Sequence, residues 1–245
     1  VTGQIPEKAE NRPLTKDDIA GKLTKLGGTE VLKISTDTNG IVYLNLYFDI
    51  SDFTAEELRM LNLLSSCFGE LSTKNYPADR LQTRVKSTMG VLFARVDVAA
   101  ERGKLEDCRP QLIVSASMLE ENAPAAIALL KELLLNGRYD ETGRIYETVQ
   151  QSDYFMKQSL ISSGHMYALS KALSAFSADA ALKETLSGES YIRWFSELAA
   201  GFEAHAPEHA ATLSALAARA FARNRLFVGY SGSLEPSLIE ELIDA

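Results

Sequence analysis

The fold of this chain is decided by the stretch NGIVYLNLYFDI, residues 39–50. Its apolar residues alternate with a period of two, which predicts a β-strand with one face fully buried and the other partly open to water. The buried face would contain Val42, Leu44, Leu46, Phe48 and Ile50. The partly open face would contain Ile41, Tyr43, Asn45, Tyr47 and Asp49. We therefore expect a sheet that is covered on one side.

A long helix is predicted directly after this strand. Thr54, followed three residues later by Glu57, forms the capping-box pattern that begins helices. Apolar residues then recur at helical spacing, so one flank of the helix is expected to be buried. They are Leu58, Leu61, Leu63, Leu64 and Phe68. We expect this helix to end near Ser72.

The segments around this unit predict an α+β protein. A short strand at 29–35 precedes the long one, and Asn39-Gly40 between them predicts a hairpin, because both residues tolerate positive φ. Further strands are expected at 91–98, 110–118 and 226–230, with a turn at 102–104. Helices are expected at 77–86, 122–135 (ending in an Asn136-Gly137 C-cap), through most of 141–221, and at 237–243. Ser190 is expected to cap one of the helices within 141–221. Adjacent hairpins and numerous helices predict two layers: a mostly antiparallel sheet with helices packed on one face.

The pattern also predicts a break between two helices and a boundary for the folded domain. Gly164 is expected to separate a helix that carries Ile145, Val149 and Phe155 from one that carries Tyr167, Leu169 and Leu173. Residues 1–28 have little periodicity and several Gly and Pro residues, so we assign them to a linker and residues 29–245 to the folded domain.

The composition excludes some classes of function. The chain has 245 residues, 46% of them hydrophobic, and a formal net charge of −8. Nucleic-acid surfaces need clustered Lys and Arg, and a membrane span needs a longer apolar run than any here, so we expect neither partner. Cys67 and Cys108 are expected to be reduced. The chain begins at Val1 with no signal-peptide pattern, so we expect a soluble fragment of a longer protein whose compartment the sequence leaves unknown.

Three segments, taken in their order along the chain, carry a resemblance to a known family. They are TNGIVYLNLYFD (38–49), LLSS (63–66) and STKNY (72–76). Together they resemble the third homologous domain of presequence-protease-type zinc peptidases, in the pitrilysin/insulinase clan. The resemblance extends from about Thr29 to the C-terminus. It implies an antiparallel sheet with helices on one side.

The resemblance also implies what this domain lacks. Catalytic domains of the clan carry H-x-x-E-H on the helix after the first long strand. The two His positions correspond here to Leu63 and Cys67, and the Glu position corresponds to Ser66. Apart from the Cys67 thiol, none of these can serve as its counterpart does. The resemblance thus implies a non-catalytic domain from the C-terminal half of a zinc-dependent peptidase, with no cofactor in this chain and zinc elsewhere in the parent enzyme.

In such an enzyme this domain would form part of the wall of a chamber in which unstructured peptides are degraded. Its partners would be the other domains of the same polypeptide and the peptide substrates. Tyr43, Asn45 and Tyr47 are our candidates for peptide contact, because amphipathic aromatic side chains bind extended chains well. The alternative is an ordinary, half-covered sheet face.

A literal H-x-x-E-H, His205-Ala-Pro-Glu-His209, occurs late in the chain. On a helix, two His residues four apart share one face, and Glu208 could act as the base for a zinc-bound water. Pro207 argues against this, because proline fits only the first helical turn and would place His205 at the cap. A stand-alone zinc hydrolase using these residues is one alternative function. A peptide-binding module without protease activity is another.

Overall fold

A computed structural model describes residues 21–100 and 104–244 of the chain. Elements of the first half are β1 (Gly21–Leu26), β2 (Thr29–Ile34), β3 (Ile41–Asp49), α1 (Ala55–Cys67), α2 (Ala78–Thr88), β4 (Val91–Ala100) and β5 (Cys108–Leu119). Those of the second half are α3 (Ala123–Asn136), α4 (Thr142–Ser162), α5 (Gly164–Leu173), α6 (Ala178–Ser187), α7 (Glu189–Gly201), α8 (Ala206–Ala220), β6 (Leu226–Ser231) and α9 (Pro236–Ile243).

The described strands form one six-stranded sheet in the order β1-β2-β6-β3-β5-β4. The β2–β6 pair is parallel, and the other neighbouring pairs are antiparallel. Alternate residues of β3 are buried as the periodicity predicts, and Val42, Leu44 and Leu46 are at most 1% exposed. They pack against the helical layer, and each such side chain stabilises the fold by about 1.5–3 kcal/mol. The predicted α+β class, with helices on one face of a mostly antiparallel sheet, is confirmed.

The turn at Asn39 and Gly40 does not make the predicted hairpin. Both residues have the expected positive φ, 50° and 77°. The strands that they connect are not neighbours, however, because β6 lies between β2 and β3 and pairs with both. The backbone just after β6 lies so close to the start of β3 that residue 232 must be glycine: a Cβ on Gly232 would lie 2.5 Å from the Ile41 carbonyl oxygen. The Asn-Gly pair predicts the backbone angles of the turn correctly. It does not predict which strands pair, because β6, from the other end of the chain, lies between β2 and β3.

The segment expected to be a linker contains a strand. β1 pairs with β2 from Gly21 opposite Ile34 to Leu26 opposite Thr29, so residues 21–26 belong to the sheet. The sequence conceals this strand because an edge strand buries little and needs no strict alternation. The linker assignment for residues 1–20 stays a prediction, since those residues lie outside the described part. Most of the turn predicted at 102–104 also lies outside the described part.

Two predicted helix ends differ in detail. α1 ends at Cys67 rather than near Ser72, and Gly69 follows with a φ of 85°. α3 ends at Asn136 as predicted, but Gly137 is extended (φ −60°, ψ 135°) rather than left-handed. Its conformation is explained by an antiparallel bridge to Thr73, which continues the backbone away from the helix.

The start of α7 also differs from expectation. Ser190 was expected to cap this helix, but the cap residue is Gly188. The Ser190 N–H and hydroxyl instead donate to the Glu184 carboxylate, each over 3.1 Å. Glu184 is almost fully buried, and its carboxylate needs hydrogen-bond donors, which the serine in the first turn of α7 provides.

Candidate functional site

The helix position that the resemblance aligns with the zinc motif contains two core side chains and an exposed serine. Leu63 and Cys67 are buried, whereas Ser66 is exposed and its hydroxyl donates to the Asn62 carbonyl oxygen over 3.2 Å. Burial, and then the charge of Glu70, raises the pKa of the Cys67 thiol to about 12. The thiol is therefore protonated at neutral pH, and a protonated thiol is not a nucleophile.

These residues do not fit a zinc ion. Leu63 has no donor atom, and Ser66 does not face the buried side. Within residues 21–100 and 104–244, no group of three or more His, Cys, Asp or Glu side chains is placed to hold a metal. The helix that carries the chemistry in catalytic relatives therefore has a packing role here.

The open face of the sheet contains the three residues predicted to contact peptides. Tyr43 is 47% exposed, and Asn45 and Tyr47 follow it on the same side of β3. The Ser115 hydroxyl donates to the Asn45 amide oxygen over 2.7 Å, which fixes the orientation of that amide. The Tyr47 ring packs against Phe227, with ring centroids 5.7 Å apart. Their role in binding stays a prediction.

Neighbouring strands extend this surface. Strand register places Phe93, Ser115, Asn45 and Gly229 in one row across β4, β5, β3 and β6. Several large apolar side chains on the same face are at least 36% exposed: Leu23, Ile34, Tyr43, Val91, Phe93 and Leu119. The sequence predicts the strands but not their lateral order, so it could not show that these residues share a surface with Tyr43. Such a face can hold an extended chain through ring contacts and one oriented amide.

The late H-x-x-E-H lies in the helical layer. His205 is the N-cap residue of α8, and Pro207 is in its first turn, as the sequence predicts. His205 Nδ1 lies 3.3 Å from a Glu208 carboxylate oxygen, while the His209 ring stacks on Phe202 at 5.1 Å. Burial lowers the pKa of His209, with a smaller contribution from the charge of His205.

The two imidazoles border a cleft of about 420 Å³ between α1, α7 and α8, and their ring centroids are 6.3 Å apart. The Glu208 carboxylate, which would be the base in a zinc site of this kind, lies beside the His205 ring. In the described part of the chain, no third ligand completes a zinc site with these histidines.

The fold and the filled motif position together define a class of protein: a peptidase-type α+β domain without the catalytic metal ligands. Residues 4–198 match a family model whose description is peptidase M16 (subfamily C) associated. The chain belongs to this family, which we call the peptidase-associated family, and the predicted resemblance to presequence-protease-type zinc peptidases is confirmed.

Individual curated relatives support this family assignment. The chain is 27% identical over 194 residues to protein HypA of Clostridium perfringens, covering 76% of this chain and 20% of the relative. It is 26% identical over 180 residues to the mitochondrial presequence protease of Candida albicans, covering 71% and 17%. It is 26% identical over 196 residues to presequence protease 1 of Arabidopsis thaliana, covering 80% and 17%. The chain thus spans about a fifth of the length of these curated relatives.

A solved structure shares the fold. A conserved protein from Enterococcus faecalis superposes with a TM-score of 0.65 at 16% identity, covering 91% of this chain and 51% of that one. Among the described residues, no helix is both long enough and apolar enough to cross a membrane.

Proposed function

We propose that this chain is a non-catalytic domain in the C-terminal half of a zinc-dependent peptidase that degrades unstructured peptides. In this proposal the domain forms part of the wall of the degradation chamber. Zinc and the reacting groups belong to another domain of the same polypeptide. The catalytic step takes place there, and this domain shapes the space around it.

One observation carries the proposal. Leu63 and Cys67, which the resemblance aligns with the zinc-binding His positions of catalytic domains, are buried core residues in a chain of the peptidase-associated family. The core side chains at this position support a structural role for α1. The presequence proteases among the relatives support a peptidase as the parent protein.

Peptide contact is assigned to the open face of the sheet. Tyr43, Asn45 and Tyr47 present rings and an amide on a surface that the helices leave uncovered. The Ser115 hydroxyl donates to the Asn45 amide oxygen and so orients the amide, whose nitrogen would donate to a peptide carbonyl. A face of this kind favours extended, unstructured chains over folded proteins, since an extended backbone can lie flat across the strands.

The proposal is tested on the longer polypeptide that carries this chain. We expect stoichiometric zinc and cleavage of an unstructured peptide by that polypeptide, and neither by the 245-residue chain alone. Tyr43→Ala in the longer polypeptide should raise KM about tenfold if the ring contributes ~1.4 kcal/mol to peptide binding, with zinc content unchanged. Leu135→Ala, which alters an exposed apolar residue on α3, is the matched control and should leave KM unchanged.

Two results would contradict the proposal. Zinc-dependent cleavage by the 245-residue chain that is lost in His209→Ala would establish the stand-alone hydrolase. Peptide binding by the open face without zinc or cleavage in the longer polypeptide would establish a peptide-binding module. The exposed apolar residues on the open face are the observation that favours this second alternative.

A further inference from the structure

Helix α5 has its apolar side chains directed outward. Four of its large apolar residues, or of those directly following it, are 49–74% exposed: Met166, Leu169, Leu173 and Phe176. The spacing of three and four residues places Met166, Leu169 and Leu173 on one side of the helix, and Phe176 lies in the turn that follows. We call these four residues the α5 stripe. The sequence predicts a helix that carries Leu169 and Leu173, and the structure shows that both side chains are exposed.

The polar side chains of α5 hold it to the rest of the domain. The Tyr167 hydroxyl lies 2.9 Å from Ser159 Oγ on α4. The Ser170 hydroxyl donates to Glu184 on α6 over 3.2 Å. α5 itself contains no buried residue. A surface helix ordinarily turns its apolar side to the core and its polar side to water, and α5 does the reverse.

The preceding helix adds to this exposed apolar surface. On α4, Tyr154, Phe155 and Ile161 are 61–78% exposed, whereas Ile145 and Val149 on the same helix are buried. Single exposed apolar residues are normal on proteins. Seven of them within 23 residues, on two consecutive helices, mark an interaction surface.

The charge of this region indicates the kind of partner. Although the chain has a net charge of −8, no acidic residue occurs between Asp153 and Asp179. The two lysines in this interval are paired inside the domain: Lys157 Nζ lies 2.6 Å from Asp153, and Lys171 Nζ lies 3.3 Å from Glu184. The surface is therefore apolar and its lysines are neutralised by neighbours, which is typical of permanent interfaces rather than transient ones.

We propose that the α5 stripe packs against another domain of the same polypeptide. This inference rests on the proposed function, in which the chain is one domain of a longer peptidase. The curated relatives are about five times longer than the region they share with this chain, so further domains are available in one polypeptide. Tethering gives an effective concentration on the order of millimolar, which favours a domain of the same chain over a second copy.

Hydrogen exchange tests the inference. We expect amides at 164–173 to exchange at least tenfold more slowly in the longer polypeptide than in the 245-residue chain. The double variant Leu169→Lys/Leu173→Lys should remove this protection in the longer polypeptide. Leu135→Lys, an equally exposed leucine on α3, is the matched control and should retain it. Both variants should leave the thermal midpoint of the 245-residue chain unchanged, which excludes misfolding as the cause.

Three outcomes would overturn the inference: equal exchange of α5 in the two proteins, protection of α5 by concentration-dependent dimers of the 245-residue chain in light scattering, or protection only with phosphatidylcholine vesicles. Peptide cleavage by the unmodified longer polypeptide is measured in parallel. Protection of α5 without cleavage would contradict the proposed function and leave the interface standing. Cleavage without protection of α5 would contradict the interface and leave the proposed function standing.

Discussion

Glu132 shows how a single buried charge holds together a segment that carries part of the family resemblance. Its carboxylate accepts hydrogen bonds from the Asn75 N–H over 3.0 Å, the Asn75 side-chain amide over 2.9 Å and the Asn136 side-chain amide over 2.7 Å. Burial acts to raise the pKa of Glu132, but the hydrogen bonds from Thr73, Asn75 and Asn136 outweigh it and lower the pKa below its ordinary 4.5. The charged form therefore ties the 72–76 segment to α3.

We expect Glu132→Ala to lower the free energy of unfolding by about 2–3 kcal/mol at pH 7, since it removes the charged acceptor that three hydrogen bonds share. The pKa is lower in the folded state than in the unfolded state, so the charge stabilises the fold fully above pH 4.5. This contribution is lost as the pH falls through the folded-state pKa. Urea denaturation at several pH values should therefore show the difference between the two proteins shrinking below pH 4.5.

Glu121→Ala, which removes an exposed acid just before α3, is the control and should have little effect at any pH. A difference for Glu132→Ala that stays constant down to about pH 3 would show that the carboxylate acts through packing rather than through its charge.

Among the elements, α1 has the most completely specified beginning. The Thr54 hydroxyl accepts the Glu57 N–H over 3.3 Å, and the Glu57 carboxylate accepts the Thr54 N–H over 2.7 Å. The same Glu57 carboxylate accepts a hydrogen bond from Arg219 on α8 over 2.7 Å. The cap thus connects the start of the helix that follows β3 to the helical layer.

Thr54→Ala should lower the free energy of unfolding by about 1 kcal/mol, because the Glu57 N–H loses its acceptor. Thr54→Ser keeps the hydroxyl and should unfold at nearly the wild-type denaturant concentration. Equal losses for the two variants would mean that the Thr54 methyl group, rather than the hydrogen bond, stabilises this end of α1.

Local patterns predicted elements of this kind well, because their causes lie within a few residues. The period-two stretch of β3 determines which side chains are buried, and the capping box fixes where α1 begins. The extended Gly137 was not predictable, because its partner is Thr73, which lies far away in sequence. The exposure of the α5 stripe was not predictable for a different reason. Helical spacing shows that Leu169 and Leu173 share a side, but not which side the domain covers.

At the scale of the whole molecule, the sheet depends on one late strand. β6 lies between β2 and β3, and Val228 is fully buried at its centre, beside Val31 on one neighbour and Leu46 on the other. The sequence identifies β6 as a strand but contains no local signal for its place in the sheet. The sequence places the peptide-contact candidates on one face of a single strand. Phe93 and Phe227 could not be added to that surface from the sequence, because they reach it only through the order of the strands in the sheet.

Val228→Ala should reduce the free energy of unfolding by about 2–3 kcal/mol, since it leaves a cavity where β6 meets the helical layer. Val91→Ala makes the same chemical change at an exposed position of β4 and should have an effect within about 0.5 kcal/mol. Guanidinium denaturation compares the two. Similar losses at both positions would argue that β6 is not central to the stability of the sheet.

The position of β6 also has a consequence for synthesis on the ribosome. Translation completes β5 at Leu119 and reaches β6 only at Leu226. At about 5–20 residues per second, the nascent chain spends roughly 5–20 s with the edges of β2 and β3 lacking the strand that joins them. Unpaired backbone N–H and C=O groups on such edges recruit other strands. The newborn protein is thus most prone to aggregation during this interval, when chaperones have the greatest opportunity to act.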